Sequence, residues 1–203
     1  MVRLSDVKHL EQFDHGKRGL LFVGSYGKRK VVVKKERADS PAAGSIANEI
    51  RFLKVLNSKR VGPQVLFSSQ KYFGYYYVPG KFFPDFLERC KSKSKILLVI
   101  GRVFRQCYVM DSLGIKKEEM HHPHKHILVD RYRVVMLDFE RCRYTDDPSN
   151  VTQFSSYLLS SFISELLKEK KIRFSRNVVI DAAKAYKRDF SRKGFEQLVG
   201  CFR

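Results

Sequence analysis

The sequence predicts an α+β fold in which a strand-rich N-terminal part with one helix precedes a helical C-terminal part. In residues 1–78, short β-branched and aromatic runs flank one segment of helical periodicity, whereas after residue 78 apolar residues recur mostly at helical spacing. Of the 203 residues, 43% are hydrophobic and 13% aromatic, which suffices for a core. We therefore expect one functional domain made of two lobes, 1–78 and 79–203, that share a cleft.

The N-terminal part is predicted to have the element order β-β-α-β-β. Its four strands are expected at residues 18–24, 29–35, 65–67 and 72–78. The first two form a hairpin that turns at residues 25–27. The helix ends near Asn57, and its apolar face is formed by Ile46, Ile50, Leu53 and Leu56.

The C-terminal part is predicted to be mainly helical, with one strand pair inside it. A helix of about four turns is indicated by the spacing of Ile96, Ile100, Val103, Cys107 and Met110. Two short strands, 127–129 and 134–137, turn at residues 130–133. One later apolar stripe comprises Leu158, Leu159, Phe162, Ile163, Leu166 and Leu167, and another comprises Val179, Ala182, Ala183, Tyr186 and Phe190.

The chain is strongly basic, with 40 Lys+Arg against 21 Asp+Glu and a formal net charge of +19. The excess is divided almost equally between residues 1–80 and 81–203, and no run of five or six like charges marks a disordered arm. Such a charge favours a polyanionic partner, either nucleic acid or nucleotide phosphate, and an acidic or RNA-associated protein partner is a second-order expectation. A solvated basic surface is the alternative, and charge alone does not separate the two.

The sequence predicts a soluble, cytoplasmic protein without a membrane partner. Its four cysteines are far apart and form no CxxC pair, which argues against a cysteine zinc knuckle or a disulfide scaffold and fits a reducing compartment. The longest apolar run, 96–100, is too short to cross a bilayer, and residues 1–12 lack the apolar core of a signal peptide.

A glycine-containing turn and a strand lysine form the first part of the candidate site. Glycines allow backbone amides to approach phosphate oxygens, and the turn is made by Gly16, Lys17, Arg18 and Gly19. In the apolar strand 31–34, alternation places Lys34 on the same face as Val32, over a cleft beside buried valines. An exposed edge-strand lysine is the alternative interpretation.

Three further features follow in chain order. Glu49 lies near the apolar stripe of the helix, where it suits Lys34 as a partner across the lobe, and a surface i,i+4 pair is the alternative. The segment Tyr76-Tyr77-Val78 joins the lobes and offers backbone groups to an adenine edge. Asp138 ends a strand in a carboxylate, which is a common way to present Mg²⁺ to a phosphate.

In this order the features resemble the protein-kinase superfamily, with VVVK at 31–34 in place of its V-A-I-K strand and Asp138-Phe139-Glu140 in place of D-F-G. The chain is most similar to the small archaeal predicted serine/threonine kinases, which are relatives of the RIO-type and lipopolysaccharide-type kinases. The resemblance extends over about residues 13–155, and its most similar stretches are 125–129 (KHILV), 137–141 (LDFER) and 150–154 (NVTQF).

The resemblance implies a minimal two-lobed kinase-like fold that binds ATP and Mg²⁺ and transfers the γ-phosphoryl group to Ser/Thr hydroxyls of a protein. It implies that Lys34 holds the α- and β-phosphates, that Glu49 orients Lys34 and that Asp138 binds Mg²⁺. The ATP-binding set would then comprise Gly16, Lys17, Arg18, Gly19, Lys34, Glu49, Tyr76, Tyr77 and Val78. Only residues 144–152 are left for an activation segment, so a peptide-docking platform of the usual kind is not expected.

The catalytic loop departs from the family pattern H-R-D-x-x-x-x-N, because no aspartate lies between Asp111 and Asp130. Glu119 is the best substitute for the catalytic base, since its carboxylate can accept a hydroxyl hydrogen bond. His126 stands where kinases place a metal-binding asparagine, and Glu140 either adds a carboxylate to the metal site or locks the loop. The alternative function is a pseudokinase or nucleotide-binding scaffold whose basic surface binds RNA or a ribosome-associated partner.

Two other clusters allow more than one interpretation. The run 121–126 (HHPHKH) holds four histidines, which either bind a transition metal or hydrogen-bond the backbone of the catalytic loop. The aromatic and basic segments 71–73 and 184–188 either stack on RNA bases or supply aromatic core residues.

Overall fold

The structure is a computed structural model that describes residues 2–15, 19–37 and 44–203. It confirms the α+β class, since the described residues contain a five-stranded antiparallel sheet and seven α-helices. The chain consists of two compact units, Met1–Pro79 with Met136–Cys142, and Gly80–Val135 with Arg143–Arg203. The sequence placed the division after residue 78 and assigned Asp138 to the second lobe, whereas the structure groups the Asp138 segment with the first unit.

The first unit is built on a sheet with the strand order β1-β2-β3-β5-β4. The strands are β1 (Lys8–His15), β2 (Gly19–Tyr26), β3 (Arg29–Glu36), β4 (Val65–Ser68) and β5 (Tyr72–Tyr76), and a short 3-10 helix, Leu4–Asp6, precedes them. The sequence analysis missed β1. This strand lies at the edge of the sheet and its residues 8–13 are exposed, so its sequence KHLEQFDH lacks the apolar alternation of a half-buried strand.

The two faces of the sheet are covered differently. Val31 and Val33 of β3 pack with Val7 and Phe67 on one face. Helix α1 (Ser45–Asn57) contacts β3, β4 and β5, and all four apolar residues predicted for its inner face are buried. Because side chains alternate along a strand, Val32 and Lys34 point away from Val31 and Val33. This alternation directs Lys34 to the helix side of the sheet.

The second unit is mainly helical. Its helices are α2 (Phe83–Arg89), α3 (Lys93–Ser112), α4 (Asn150–Leu158), α5 (Ser161–Glu169), α6 (Arg176–Asp189) and α7 (Arg192–Val199). The short strands of this part of the chain are β6 (Lys81–Phe82), β7 (Ile115–Lys116), β8 (Ile127–Asp130), β9 (Arg133–Met136) and β10 (Arg143–Tyr144). The predicted turn between β8 and β9 is a two-residue turn with positive φ at Arg131 and Tyr132, as the twist of a tight hairpin requires.

One helical stripe was predicted wrongly. Residues 158–167 belong to two helices, because α4 ends at Leu158 and α5 begins at Ser161. The Ser160 backbone is extended at this break (φ −62°, ψ 149°). Phe162, which the stripe placed in the core, is 47% exposed as a result.

In the described ranges, no helix combines the length and the apolar character that crossing a bilayer requires. All four cysteines lie in these ranges, and none forms a disulfide.

Candidate functional site

The first unit places three carboxylates around the ammonium group of Lys34. Lys34 Nζ lies 2.7 Å from Glu49 Oε2, 3.1 Å from Asp138 Oδ1 and 3.4 Å from Glu140 Oε2. The Glu49 side chain is 3% exposed, the Glu140 side chain 9% and the Asp138 side chain 34%. Glu49 is thus a buried cross-element partner of Lys34 and not a surface i,i+4 residue, whereas Asp138 is the carboxylate most open to solvent.

Lys34 lies on β3, whereas Asp138 and Glu140 lie on the segment 138–142, and side chains of helix α1 contact both. Glu49 Oε1 accepts a hydrogen bond of 3.0 Å from the Phe139 N–H. Asn48 donates from Nδ2 to the carbonyl oxygens of Glu140 (2.8 Å) and Cys142 (3.0 Å). Helix α1 therefore fixes both the lysine, through Glu49, and the segment 138–142, through Glu49 and Asn48 together.

Close packing between Gly62 and Phe139 also holds the segment 138–142 in place. Gly62 has a φ of +76°, and a Cβ at this position would lie 2.7 Å from Leu53 Cδ2 and 3.0 Å from Phe139 Cε2. Both distances are too short for any side chain to be accommodated without movement. The Val61-Gly62-Pro63 interruption thus has a packing role, since it lets α1 and Phe139 approach one backbone closely.

Three carboxylates lie within 3.4 Å of the ammonium group of Lys34. Burial lowers the pKa of Lys34, but the attraction of Glu49, Asp138 and Glu140 outweighs it, and the pKa lies above its ordinary value. Burial raises the pKa of Glu49, and Asp138 adds to this effect, while Lys34 and the Phe139 N–H oppose it. The attraction of the three carboxylates thus keeps Lys34 charged.

Asp138 adopts a backbone conformation that is uncommon for residues other than glycine. Its φ is +64°, in the left-handed region that aspartate and asparagine tolerate better than other L-residues. Such conformations persist where the surroundings enforce them, and they concentrate at functional sites. Here the hydrogen bond from the next residue, Phe139, to Glu49 holds the backbone immediately after Asp138.

Of the four residues predicted for the glycine turn, only Gly19 is described, and Gly16, Lys17 and Arg18 lie outside the described residues. Gly19 begins β2, and a Cβ there would lie 3.3 Å from Lys34 Cε and 3.3 Å from the Lys35 carbonyl oxygen. Those contacts are tight, so a larger residue at this position would press on the lysine chain. Gly19 therefore contributes to the space around Lys34.

The segment predicted to bind adenine lies at the end of β5. Tyr76 pairs with Val31 in the sheet, and its ring is stacked beneath the guanidinium of Arg29, 3.2 Å from the ring centroid. The Tyr77 N–H donates to the Lys30 carbonyl (3.0 Å) and its ring is exposed, while Val78 is half-buried. The Tyr77 N–H is thus already hydrogen-bonded to β3. In the segment predicted to bind adenine, the next backbone N–H along the chain is that of Val78.

The second unit holds the other two predicted residues, Glu119 and His126. Glu119 Oε2 lies 3.8 Å from His126 Nε2, and the Glu119 side chain is 41% exposed. Glu119 has a φ of +70°, and its carbonyl accepts a hydrogen bond from the His122 N–H. The residue chosen as a substitute base is therefore an accessible carboxylate on a constrained turn beside an imidazole.

The histidine run forms a chain of adjacent rings and not a compact ligand set. The ring centroids of His121 and His122 lie 4.8 Å apart, and those of His122 and His124 lie 6.2 Å apart. Within the described ranges, only Glu49, Asp138 and Glu140 bring three metal-ligating atoms within 4.8 Å of one another. His126 is thus outside the one set that satisfies this criterion.

The donor set of the first unit fits Mg²⁺ in its chemistry. Magnesium prefers carboxylate oxygens and keeps several of its waters, so a partly open carboxylate such as Asp138 suits it better than an imidazole does. Glu49 is buried and already accepts hydrogen bonds from Lys34 and Phe139. Asp138 and Glu140 are therefore the residues of this set that would hold the ion.

The aromatic and basic segments divide between core and surface. Phe73 and Tyr186 are buried core residues, while Tyr72 is half-buried. The Tyr186 hydroxyl donates to Asp111 Oδ2 (3.0 Å), and burial is the main cause that raises the pKa of Tyr186. The interpretation of these rings as core residues is correct for Phe73 and Tyr186.

Sequence reasoning missed a second polar cluster, which lies in the second unit. Asp111 Oδ1 accepts from the Asn150 N–H (2.9 Å) and Nδ2 (2.6 Å), and Oδ2 accepts from the Val151 N–H (3.2 Å) and the Tyr186 hydroxyl. Asn150 in turn binds the Lys117 N–H (2.8 Å) and the Ile115 carbonyl (2.7 Å). A sequence signal for this cluster exists, because Asp111 lies four residues after Cys107 and therefore on the apolar face of α3.

No protein-family model matches the chain, and no curated protein is significantly similar to it.

Proposed function

We propose that this protein is an atypical ATP-dependent kinase that transfers the γ-phosphoryl group of ATP to Ser/Thr hydroxyls of a protein. The observation that carries the proposal is the position of Lys34, held 2.7 Å from the buried Glu49 and beside Asp138 and Glu140. Phosphoryl transfer depends mainly on positioning and on neutralising phosphate charge, so a fixed cation beside oxygen ligands is the arrangement it needs.

Lys34 would bind the phosphates of ATP. Glu49 fixes one side of the ammonium group, and the carboxylates of Asp138 and Glu140 lie at longer distances from it. A lysine that is already oriented binds an anion with little further loss of conformational freedom. Its raised pKa keeps it charged throughout the physiological pH range.

Asp138 and Glu140 would hold Mg²⁺. Bound ATP would supply the phosphoryl group, and Mg²⁺ would neutralise charge on the phosphate oxygens. The left-handed backbone of Asp138 and its partial exposure support this role, because the carboxylate is fixed at its base while remaining accessible. Asn48 would act as a positioning residue, since its two hydrogen bonds hold the segment that follows Asp138.

Glu119 would accept the hydrogen bond of the substrate hydroxyl. The nearest aspartate before it in sequence, Asp111, is buried and receives four hydrogen bonds, so it is not available as a base. Glu119 is accessible and lies beside His126. An accessible carboxylate can accept a hydrogen bond from a hydroxyl group and orient it.

A nucleotide-binding pseudokinase is the second candidate function. It is favoured by the sequence between Asp111 and Asp130, which contains no aspartate. In this case Lys34 and Asp138 would bind nucleotide as a switch, and the basic exterior would bind RNA or a ribosome-associated partner. The two functions share the nucleotide site and differ only in whether phosphoryl transfer follows.

Thermal unfolding of the full chain with ATP, with and without Mg²⁺, tests the shared nucleotide site. At about 100 times Kd, ligand binding adds about 2.7 kcal/mol of stability, so the midpoint should rise by roughly 5–10 °C. Lys34→Met should abolish this rise, whereas Lys54→Met, which removes an exposed lysine from α1, should retain it. A midpoint that does not move under any condition would refute both functions.

Transfer of radiolabelled phosphate from ATP then separates the two candidates. For the kinase we expect incorporation by the wild type, loss in Glu119→Gln with the thermal shift retained, and no loss in Asp146→Asn. A Mg²⁺-dependent thermal shift without any incorporation, accompanied by RNA binding that weakens steeply with salt, would establish the scaffold function instead.

A further inference from the structure

The first unit contains a cavity that the nucleotide site does not use. Its volume is about 570 Å³, which lies in the range of ligand-binding pockets. The cavity is lined by Leu4, Leu10, Phe22, Val33, Lys35, Ser69, Gln70, Lys71 and Tyr72. Because Val33 and Lys35 alternate with Lys34 along β3, the cavity lies on the opposite face of the sheet from the carboxylate cluster.

The walls of the cavity are mainly hydrocarbon. Val33 is 2% exposed, Phe22 and Tyr72 are half-buried, and Leu10 on the edge strand β1 is 39% exposed. The Tyr72 ring is held edge-on against Phe67, with the centroids 6.4 Å apart. An exposed leucine beside a pre-formed apolar cavity is a typical feature of a surface that receives an apolar group.

The rim of the cavity is cationic. Lys35 and Lys71 are both exposed, and none of the described lining residues is a carboxylate. The backbones that carry them are in contact, because the Lys71 carbonyl accepts a hydrogen bond of 2.8 Å from the N–H of Glu36, the residue after Lys35. Both lysines line the same apolar cavity in a chain of net charge +19.

We infer that this cavity is a docking site for an acidic segment of a partner protein. The segment inserts an apolar side chain against Phe22 and Tyr72 and places its carboxylates against Lys35 and Lys71. Complementary charge favours an acidic partner and excludes a basic one, since like charges would be brought together at the rim. The inference concerns binding alone and does not depend on phosphoryl transfer.

A peptide fits the cavity better than a nucleotide base of RNA does. A base carries polar edges, and burying them without hydrogen-bond partners costs free energy. The lining side chains with polar atoms are Lys35, Ser69, Gln70, Lys71 and the hydroxyl of Tyr72, and three of these five belong to the single segment between β4 and β5. Aliphatic and aromatic anchors flanked by carboxylates match this division into an apolar wall and a charged rim.

Selection from a random dodecapeptide library on the full wild-type chain tests the inference. We expect enriched peptides that carry at least two carboxylates beside a leucine or an aromatic residue. A fluorescein-labelled copy of the most enriched peptide should lose at least about tenfold in affinity with Lys35→Glu/Lys71→Glu. Leu10→Asp should weaken binding similarly, by placing a charge at the apolar wall.

Lys30→Glu is the matched control, because it reverses one exposed lysine on the same strand but on the other face. Its affinity for the peptide should stay within about twofold of the wild type. A peptide in which glutamine replaces the acidic residues should bind at least about tenfold more weakly, which requires no change in the protein.

Three results would overturn the inference. These are enrichment of peptides without acidic residues, equal weakening by Lys30→Glu, and unchanged affinity in the double lysine variant. A fluorescein-labelled oligouridylate that binds the wild type more tightly than the peptide, and loses its binding in the double variant, would assign the surface to RNA. Because none of these measurements involves ATP, their failure is distinguishable from failure of the proposed kinase activity.

Discussion

Each unit of this protein contains a polar cluster built on carboxylate groups, and the carboxylates of the two clusters bind different kinds of donor. In the second unit, Asp111 receives four hydrogen bonds from neutral donors on Asn150, Val151 and Tyr186. In the first unit, three carboxylates share one lysine, and the least buried of them, Asp138, has a left-handed backbone. The Asp111 carboxylate therefore uses its acceptor capacity on neutral donors, whereas the carboxylates of the first unit are grouped around a cation.

The difference indicates which cluster serves stability and which serves binding. A carboxylate with all its donors in place joins α3 to α4 and α6 and has little capacity left for a ligand. In the first unit, Lys34, Asp138 and Glu140 are the groups to which the proposed function assigns the binding of ATP and Mg²⁺. We therefore expect substitutions in the Asp111 cluster to reduce stability, and substitutions in the Lys34 cluster to reduce ligand binding.

The largest expected effect is the loss of stability in Asp111→Ala. The change leaves buried donors on Asn150, Val151 and Tyr186 without their acceptor, so we expect the free energy of unfolding to fall by about 3 to 5 kcal/mol. Urea denaturation monitored by circular dichroism measures this change. Asp146→Ala, an exposed aspartate in the same unit, should stay within about 0.5 kcal/mol of the wild type. A fall of less than 1 kcal/mol in Asp111→Ala would contradict the structural role of the cluster.

The sequence predicted the groups whose position follows from strand or helix periodicity. Alternation in β3 put Lys34 on the face of Val32, and the apolar stripe of α1 put Glu49 near that face. Their ion pair needed only the packing of one helix on one sheet. The prediction that Asp138 follows a strand also depended only on the residues next to it in sequence.

Groups whose partners are distant in sequence escaped prediction. Asn48 reaches carbonyls more than 90 residues away, and Asp111 meets Asn150 across 39 residues, so neither contact leaves a periodic signal. Glu140 was expected either to join a metal site or to lock its loop, and its contact with Lys34 is compatible with both roles. The edge strand β1 was missed because its exposed residues have no alternation to detect.

A smaller effect on stability is expected from pH, and both clusters contribute to it. Burial raises the pKa of both Asp111 and Glu49, so the folded protein binds protons at a pH at which the unfolded chain does not. Stability conferred by this proton uptake increases as pH falls from the folded pKa towards about 4, the ordinary carboxyl value.

Asp111→Asn and Glu49→Gln separate the two contributions to this pH dependence. Neither substituted amide titrates, so each variant should show a flatter rise in the free energy of unfolding than the wild type as pH falls from 7 to 5. Urea denaturation at several pH values measures the slopes. Equal slopes in the wild type and both variants would contradict the raised pKa values.

The smallest expected effect on stability is that of Asp138→Asn. Asparagine tolerates the left-handed backbone as aspartate does, and Lys34 keeps its 2.7 Å contact with the buried Glu49. Without ligand, the free energy of unfolding should therefore stay within about 1 kcal/mol of the wild type, because the lost ion pair involves a carboxylate that is 34% exposed. The same variant should lose the Mg²⁺-dependent part of the ATP-induced thermal shift, whereas Asp146→Asn should change neither quantity. If Asp138→Asn instead destabilised the protein by several kcal/mol, as expected for Asp111→Ala, the Lys34 cluster would be a stabilising network, and the division of roles between the two units would fail.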